Sequence, residues 1–421
     1  MLNDSNEFLL IVEIKMCKDL DIAFLGRLFP PEDQDLRKKM RSDMQDAANV
    51  FQWNLIGGIR ENGENNISVI SYLPLDSWPK HYRSPFIKKS TQTICDGVSY
   101  HNVGFCNVTY LKQILNRNVC NSTVRQWANK KRKTSKKVLV CYSCNNVLMK
   151  AASVAKKTNP NVVVIQIIAD ITEFSTNGDE SGLRKWYLNN QIKKNEEYKK
   201  YIDGYVLLTE QMRDKLRLNK PSVIVEGIAS ENAVNRSEKK DYCNKTILYT
   251  GSMNKKYGIL ELLEAFALIK QENYRLVLCG LGNAEPRICE AVLKDPRISY
   301  LGKVPREKVL QLQAQSTVVV NPRQNIGEYT KYSFPSKTME YLASGVPLVA
   351  YKLDGIPDEY DEYITYVADN TATTFAKTLV DVCEMPYEQR QCIGERAKKF
   401  ILERKNKKAQ TKKILDLIQE I

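Results

Sequence analysis

The chain has 421 residues, 43% hydrophobic and 27% charged, with 63 basic against 49 acidic side chains and a net charge of +14. The hydrophobic and charged fractions are ordinary for a soluble globular chain while the net charge is the strongest deviation, and the length suggests two or three domains, each able to bury its own core. No segment approaches about 18 consecutive apolar residues, so an apolar transmembrane helix is disfavoured. The opening MLNDSNEFLLIVEIKMCKDLD is too acidic and too short in its apolar core for a signal peptide, which disfavours export. The eleven cysteines, Cys141, Cys279 and Cys289 among them, read as reduced core residues of a cytosolic protein.

Residues 1 to 20 read as a short extension, and the first strand signal is Asp21 to Phe29, ended by Pro30-Pro31. Ala47 to Ile59 has a helical pattern that ends in Gly57-Gly58, and 67–73 is a strand closed by Pro74. A mixed segment then carries both histidines, His81 and His101. Val138–Tyr142 and Val162–Ile168 are further strands with a helix between them, and Asp170 stands at the end of the second. Cys141-Tyr142-Ser143-Cys144 has metal-knuckle spacing, but no second pair follows at zinc spacing, so no metal site is assigned. Helical residues 187–201, strand Gly204–Leu208, a helix from Thr209 and a strand at Ser222–Val225 complete a domain over 1–229.

Positive charge gathers in this half, at Lys130–Lys137 and across 184–200, where Trp186, Tyr187 and Leu188 interrupt the basic residues. Such segments attract anionic lipid head groups and nucleic-acid phosphates alike, and a solvated loop or helix face gives the same pattern.

Residues 230–245 are polar and charged without an apolar period, as an interdomain linker is. A second domain over 246–400 opens with strand Thr246–Thr250, a loop from Gly251 to Gly258 that contains Lys255 and Lys256, and an amphipathic helix. Strand Arg275–Cys279 runs into Gly280-Leu281-Gly282, a weak signal alone, and strand 298–301 into Gly302-Lys303-Val304-Pro305. Val318–Val320 is a buried strand, ended by Asn321, Pro322 and Arg323. The loop that follows runs to Pro335, where Ser336 can cap a helix ending at Ser344-Gly345, and Val346–Tyr351 is the next strand. Strand, loop, helix and strand in that order make half of a doubly wound α/β unit, whose ligands bind at the carboxyl ends of the strands. The loop brings Arg323, Lys331, Tyr332 and Lys337 to that edge, and the first helical turn offers N–H groups to a phosphate. Glu340, three residues after Lys337 on the same face, could accept two ribose hydroxyls.

YSFPSKTMEYLASGVPLVA resembles the donor-binding signature of family 4 glycosyltransferases of the GT-B fold, in particular the bacterial surface-polysaccharide enzymes with an FPSK variant. In that family one Glu is followed, after seven intervening residues, by a second. Glu340 falls on the second, but Tyr332 occupies the place of the first, and Glu328 nearby could supply the carboxylate instead. By the same resemblance Tyr332, Ser333, Phe334, Pro335, Ser336, Lys337 and Glu340 belong to the donor site. Gly251, Ser252, Lys255 and Lys256 resemble the family's pyrophosphate loop, with Ser252 where Arg is common and the lysine displaced by one place; Arg323 or Lys337 could replace the missing guanidinium. Lys303 and Val304 fall where the family brackets the nucleotide base. Asp170 falls where a His or acid faces the anomeric carbon, and Asn49 and Gln52 where acceptor contacts occur; helix capping or ordinary helix positions explain these three equally well.

The resemblance implies two Rossmann-like domains facing each other across a cleft, with residues 401–421 as a helix crossing back to the first. It implies a retaining, metal-independent transfer of a sugar from a nucleotide-diphosphate donor, a uridine one, to a hydroxyl of a lipid-linked oligosaccharide in surface polysaccharide biosynthesis. Asp170, Lys256 and Arg323 would carry catalysis, with no cofactor. The implied partners are donor, acceptor and an anionic membrane surface, not nucleic acid, and the implied location is the cytoplasm at the inner face of the cell membrane. Two rivals stand beside it: a nucleotide-sugar epimerase of the same fold, and a basic nucleic-acid-binding protein.

Overall fold

A computed structural model of the chain describes residues 20–31, 33–39, 46–131, 136–171, 182–229 and 244–421, without the side chains of 34, 37, 46 and 183–188. The extension before residue 20, nearly all of the 230–245 linker, the middle of the Lys130–Lys137 run and the Trp186, Tyr187 and Leu188 side chains lie outside them. The chain divides into two units: Met1–Glu226 with Lys407–Ile421, and Gly227–Asn406.

In the first unit the strands are β1 (Leu20–Gly26), β2 (Ile67–Ser71), β3 (Phe86–Ile87), β4 (Ser90–Cys95), β5 (Val98–Asn102), β6 (Phe105–Cys106), β7 (Lys136–Tyr142), β8 (Val163–Ile168), β9 (Gly204–Leu207) and β10 (Ser222–Ile224). The sheet order is β10-β9-β8-β7-β1-β2-β5-β4, parallel except for the edge strand β4, and β3 pairs with β6 apart from it. β8 is buried at every residue, and β1 and β7 at all but their first, as expected when helices cover both faces of a parallel sheet.

β1 is shorter than its hydrophobic run. Beyond Gly26 the N–H groups of Arg27, Leu28 and Phe29 donate to side chains, Gln52 Oε1 at 3.1 Å, Ser71 Oγ at 3.3 Å and Asn49 Oδ1 at 2.9 Å, instead of to a neighbouring strand. Asn49 and Gln52 are thus buried supports of this loop rather than surface contacts. The Lys130–Lys137 run is also partly spent on the fold. Lys137 sits in β7 opposite Asp21 of β1 and forms a buried ion pair with it at 2.8 Å, and Lys136 Nζ donates to the Ile418 carbonyl at 2.7 Å.

In the second unit β11 (Lys245–Thr250), β12 (Tyr274–Cys279), β13 (Ile298–Tyr300), β14 (Val318–Asn321), β15 (Leu348–Ala350) and β16 (Ile364–Tyr366) form one wholly parallel sheet. Its order, β13-β12-β11-β14-β15-β16, reads 3-2-1-4-5-6 when counted within the unit, which is the dinucleotide-binding order. Cys141 and Cys279 are buried in strands, whereas Cys289 is exposed on the helix Glu285–Lys294 and is no core residue. Among the described residues no helix is long and apolar enough to cross a membrane.

The helix Asp46–Glu61 passes straight through Gly57-Gly58, so the glycine pair is not its end. The glycines serve a contact, not a stop. A Cβ on Gly58 would lie 2.2 Å from the Lys407 carbonyl oxygen, at the start of the helix Lys407–Glu420. Next to it Asn62 Nδ2 donates to the Lys408 carbonyl at 2.9 Å. Gly58→Ala should therefore destabilise the protein by about 1–3 kcal/mol in chemical denaturation, since the clash is with backbone. A Cβ on Gly57 meets only Lys407 Cδ at 3.8 Å. Gly57→Ala should accordingly be neutral or stabilising by up to about 1 kcal/mol through helix propensity; equal losses for the two variants would refute the helix-contact account.

Candidate functional site

In the second unit the chain order reverses between β11 and β14, the place where open α/β sheets bind ligands. These strands pair only at Ile247 with Val318 and Leu248 with Val319, and then part. Thr250, two residues further along β11, is left without a strand on that side. The Tyr341 hydroxyl takes its place: it accepts from the Thr250 N–H at 2.8 Å and donates to the Thr250 carbonyl at 2.8 Å. Tyr341 belongs to the helix Ser336–Ala343, so the bond fixes that helix against the strand end.

On the same helix Glu340 Oε1 accepts from Lys337 Nζ at 2.9 Å and from Gln313 Nε2 at 2.7 Å, and Gln313 Nε2 also reaches Thr250 Oγ1 at 3.2 Å. Arg306 lies 3.5 Å from Glu340 Oε2. Glu340 is 18% exposed and faces this polar group rather than the hydrophobic core. Burial pushes its carboxyl up, but Lys337, Gln313 and Arg306 together outweigh burial and hold it below the usual glutamate value. Ser336 is the first helical residue and caps nothing: Pro335 precedes it, and no side chain caps the helix. The helix closes at Ser344-Gly345, with Gly345 at φ +71°.

Two loops flank the helix tip. After β11 the chain runs through Gly251 and the exposed Ser252, Lys255 and Lys256 to Gly258, whose φ is +81° and whose Cβ would lie 1.9 Å from the Pro322 carbonyl oxygen. Only glycine lets this loop lie on the one after β14. Gly280 serves the first loop likewise, since a Cβ there would lie 1.7 Å from the Gly251 oxygen. The weak Gly-x-Gly signal therefore marks loop packing. Lys256 Nζ stands 5.2 Å from the Tyr257 ring, and the Tyr329 hydroxyl donates to the Lys256 carbonyl at 3.4 Å.

Arg323 follows β14 but is not a free loop cation. It is 8% exposed, with its guanidinium 4.6 Å from the Tyr329 ring and 5.7 Å from the Tyr257 ring, and Nη2 donates to Ser333 Oγ at 3.0 Å. Phe334 turns into the core against Tyr360, ring centroids 5.3 Å apart, because the chain between loop and helix needs an apolar anchor. Pro335 is half-buried. Glu328 is exposed and accepts from the Tyr332 hydroxyl at 3.4 Å. Lys303 is exposed after β13, and Val304 packs against the core beside it. Lys331 pairs with Asp354 at 3.9 Å.

Asp170 lies in the other unit, two residues beyond β8, with an exposed face. Burial of its remaining surroundings raises its carboxyl above the usual aspartate value. Sequence reading did not find Thr250, Tyr257, Arg306, Gln313, Tyr329 or Tyr341. Gln313 and Arg306 carry no motif; the one signal was a Tyr directly after Glu340 on a short helix.

Residues 231–400 match the family model of glycosyl transferases group 1, which supports a glycosyltransferase. No curated protein matches the sequence. Solved structures match over nearly the whole chain. Sucrose-phosphate synthase from Thermosynechococcus elongatus is 13% identical with a TM-score of 0.61, covering 95% of this chain and 98% of that one. The chain has the GT-B fold. The lipopolysaccharide outer core galactosyltransferase WaaB in its apo form (14% identity, TM-score 0.60, 95% and 99% covered) shares that GT-B architecture. So does a UDP-forming α,α-trehalose-phosphate synthase from Burkholderia xenovorans in complex with glucose-6-phosphate (11%, 0.63, 95% and 100%).

Tyr341→Phe removes the partner of a buried backbone N–H and should cost about 1–3 kcal/mol in a denaturant titration. Glu340, with its folded pKa below the unfolded one, contributes stability that is complete above the ordinary value of 4.5 and lost as pH falls through the folded value. Glu340→Gln should flatten that acid-side loss in stability measured against pH, and an unchanged profile would refute the assigned shift.

Proposed function

We propose that the protein is a retaining, metal-independent glycosyltransferase that moves a sugar from a nucleotide-diphosphate donor, a UDP-sugar, to a hydroxyl of a lipid-linked glycan in surface polysaccharide biosynthesis, at the inner face of the cell membrane. The observation that carries the reading is Glu340, held one turn inside a helix tip at the switch point of the 3-2-1-4-5-6 sheet, within the stretch that matches the glycosyltransferase family.

The donor diphosphate lies against the uncapped first turn at Ser336 and Lys337, where N–H groups and the helix dipole favour negative charge. Lys255 and Lys256 add cations from the first loop. Arg323, fixed between two tyrosine rings, adds a charge that needs no reorganisation as the diphosphate departs, which is where electrostatic stabilisation of the leaving group is worth most. Glu340, positioned by Gln313 and Arg306, holds the ribose hydroxyls. Glu328 stands in for the family carboxylate that Tyr332 replaces, and Lys303 and Val304 border the base.

In the transfer the bond between the anomeric carbon and the diphosphate oxygen breaks with its electron pair going to the diphosphate. The acceptor oxygen bonds to that carbon on the same face and gives up its proton. Asp170, whose carboxyl titrates above the usual range, is the group proposed to orient the acceptor hydroxyl or take that proton. The similar structures include a galactosyltransferase and a UDP-forming synthase, which supports a uridine donor and a glycan or sugar acceptor.

Incubation with a panel of nucleotide sugars, read as nucleotide release, should single out one UDP-sugar. Glu340→Ala should lower kcat/KM at least about tenfold by removing a charged hydrogen-bond acceptor. Release from no donor in the panel, or undiminished turnover in Glu340→Ala, would overturn the reading.

A further inference from the structure

Five large apolar side chains stand exposed together in the first unit: Phe86 at 65%, Tyr110 at 82%, Leu111 at 47%, Ile114 at 60% and Leu115 at 61%. Phe86 lies on β3 opposite Cys106 of β6, and Asn116, directly after the short helix Leu111–Leu115, clamps Cys106 by accepting from its N–H at 3.2 Å and donating to its carbonyl at 2.7 Å. Strand and helix are therefore neighbours, and the five apolar residues are exposed on adjoining elements. The helix is inside out. Its leucines and isoleucine face solvent, while Lys112 turns inward, with Nζ donating to the Leu75 carbonyl and standing 5.6 Å from the Phe105 ring. A helix that burdens itself with an inward lysine and displays its aliphatic residues is patterned for an apolar environment outside the protein.

Charge decides which environment. Arg83, Lys88 and Lys89, within three residues of Phe86 in the chain, and Arg117, two after Leu115, are exposed. Between Asp76 and Asp170 the sequence holds a single acidic residue, Asp96. A symmetric dimer through this face would set like charge against like charge, because a two-fold interface apposes each patch with its own copy. A bilayer interface offers hydrocarbon for the aliphatic side chains, the head-group level for Tyr110 and Phe86, and negative charge for the cations.

We infer that Phe86, Tyr110, Leu111, Ile114 and Leu115, with the basic residues near them in the chain, form the surface by which this protein inserts into anionic membrane. The inference gives a place to the membrane association contained in the proposed function and moves it away from Lys130–Lys137, part of which is consumed in β7. It is tested without donor or acceptor, so its failure leaves the glycosyl-transfer reading untouched.

The test is co-sedimentation of the full chain with phosphatidylcholine vesicles with and without phosphatidylglycerol, for the native protein and for the Ile114→Asp/Leu115→Asp double variant. The native chain should bind the phosphatidylglycerol vesicles, less so in high salt. The double variant should bind at least about tenfold more weakly, since each loses an apolar side chain from the interface. Both side chains are exposed, so thermal unfolding of the variant should match the native chain and separate lost binding from lost folding. Absence of vesicle binding by the native chain would overturn the inference, as would equal binding by the double variant. Dimers seen by light scattering that dissociate in the variant would instead assign the patch to self-association.

Discussion

One hydroxyl holds the candidate site together. A strand at the edge of a reversal in chain order loses its neighbour before it ends, and the backbone groups exposed by that parting must still be satisfied. At Thr250 the Tyr341 hydroxyl satisfies both, acting as acceptor and donor at once. The helix that carries Tyr341 is thereby set at a fixed depth and rotation on the sheet. Gln313 closes a ring from Thr250 to Glu340. Lys337 and Glu340 inherit their positions from this ring and not from their own contacts with solvent, which is how a site on a short helix acquires definition.

The two units solve the same problem with different chemistry. In the first, the loop leaving β1 is also stranded beyond its ladder, and Gln52, Ser71 and Asn49 accept its N–H groups one after another. Three polar side chains there do the work of one tyrosine in the second unit. In both, the polar residues nearest the strand ends are buried because the backbone demands partners, so a polar residue at such an edge is as often support as contact.

The parallel strands and the helix at Ser336 were legible because continuous Val, Ile and Leu runs and Gly-containing ends are local signals. Their order pointed to a doubly wound α/β unit, and the GT-B fold came only from the resemblance of YSFPSKTMEYLASGVPLVA to a family signature. What escaped was set by distance in the chain. Gln313 meets Glu340 across 27 residues, and nothing at either position announces it. Gly57-Gly58 was misread since a glycine pair looks the same whether it ends a helix or receives another one. β3 and β6 have two residues each, and the polar β4 has no apolar alternation, so that region gave no period to detect. Phe334 sat in a recognised motif, where the motif concealed that its ring belongs to the core.

The first unit is discontinuous, and that bears on how the chain is made. Asn62 awaits a partner at Lys408, 346 residues downstream, and the helix Asp46–Glu61 lies beside that partner's helix. During translation the ribosome must deliver the whole intervening unit before this helical face is covered. Throughout that interval the helical face around Gly58 and Asn62 lacks the segment that covers it in the finished fold.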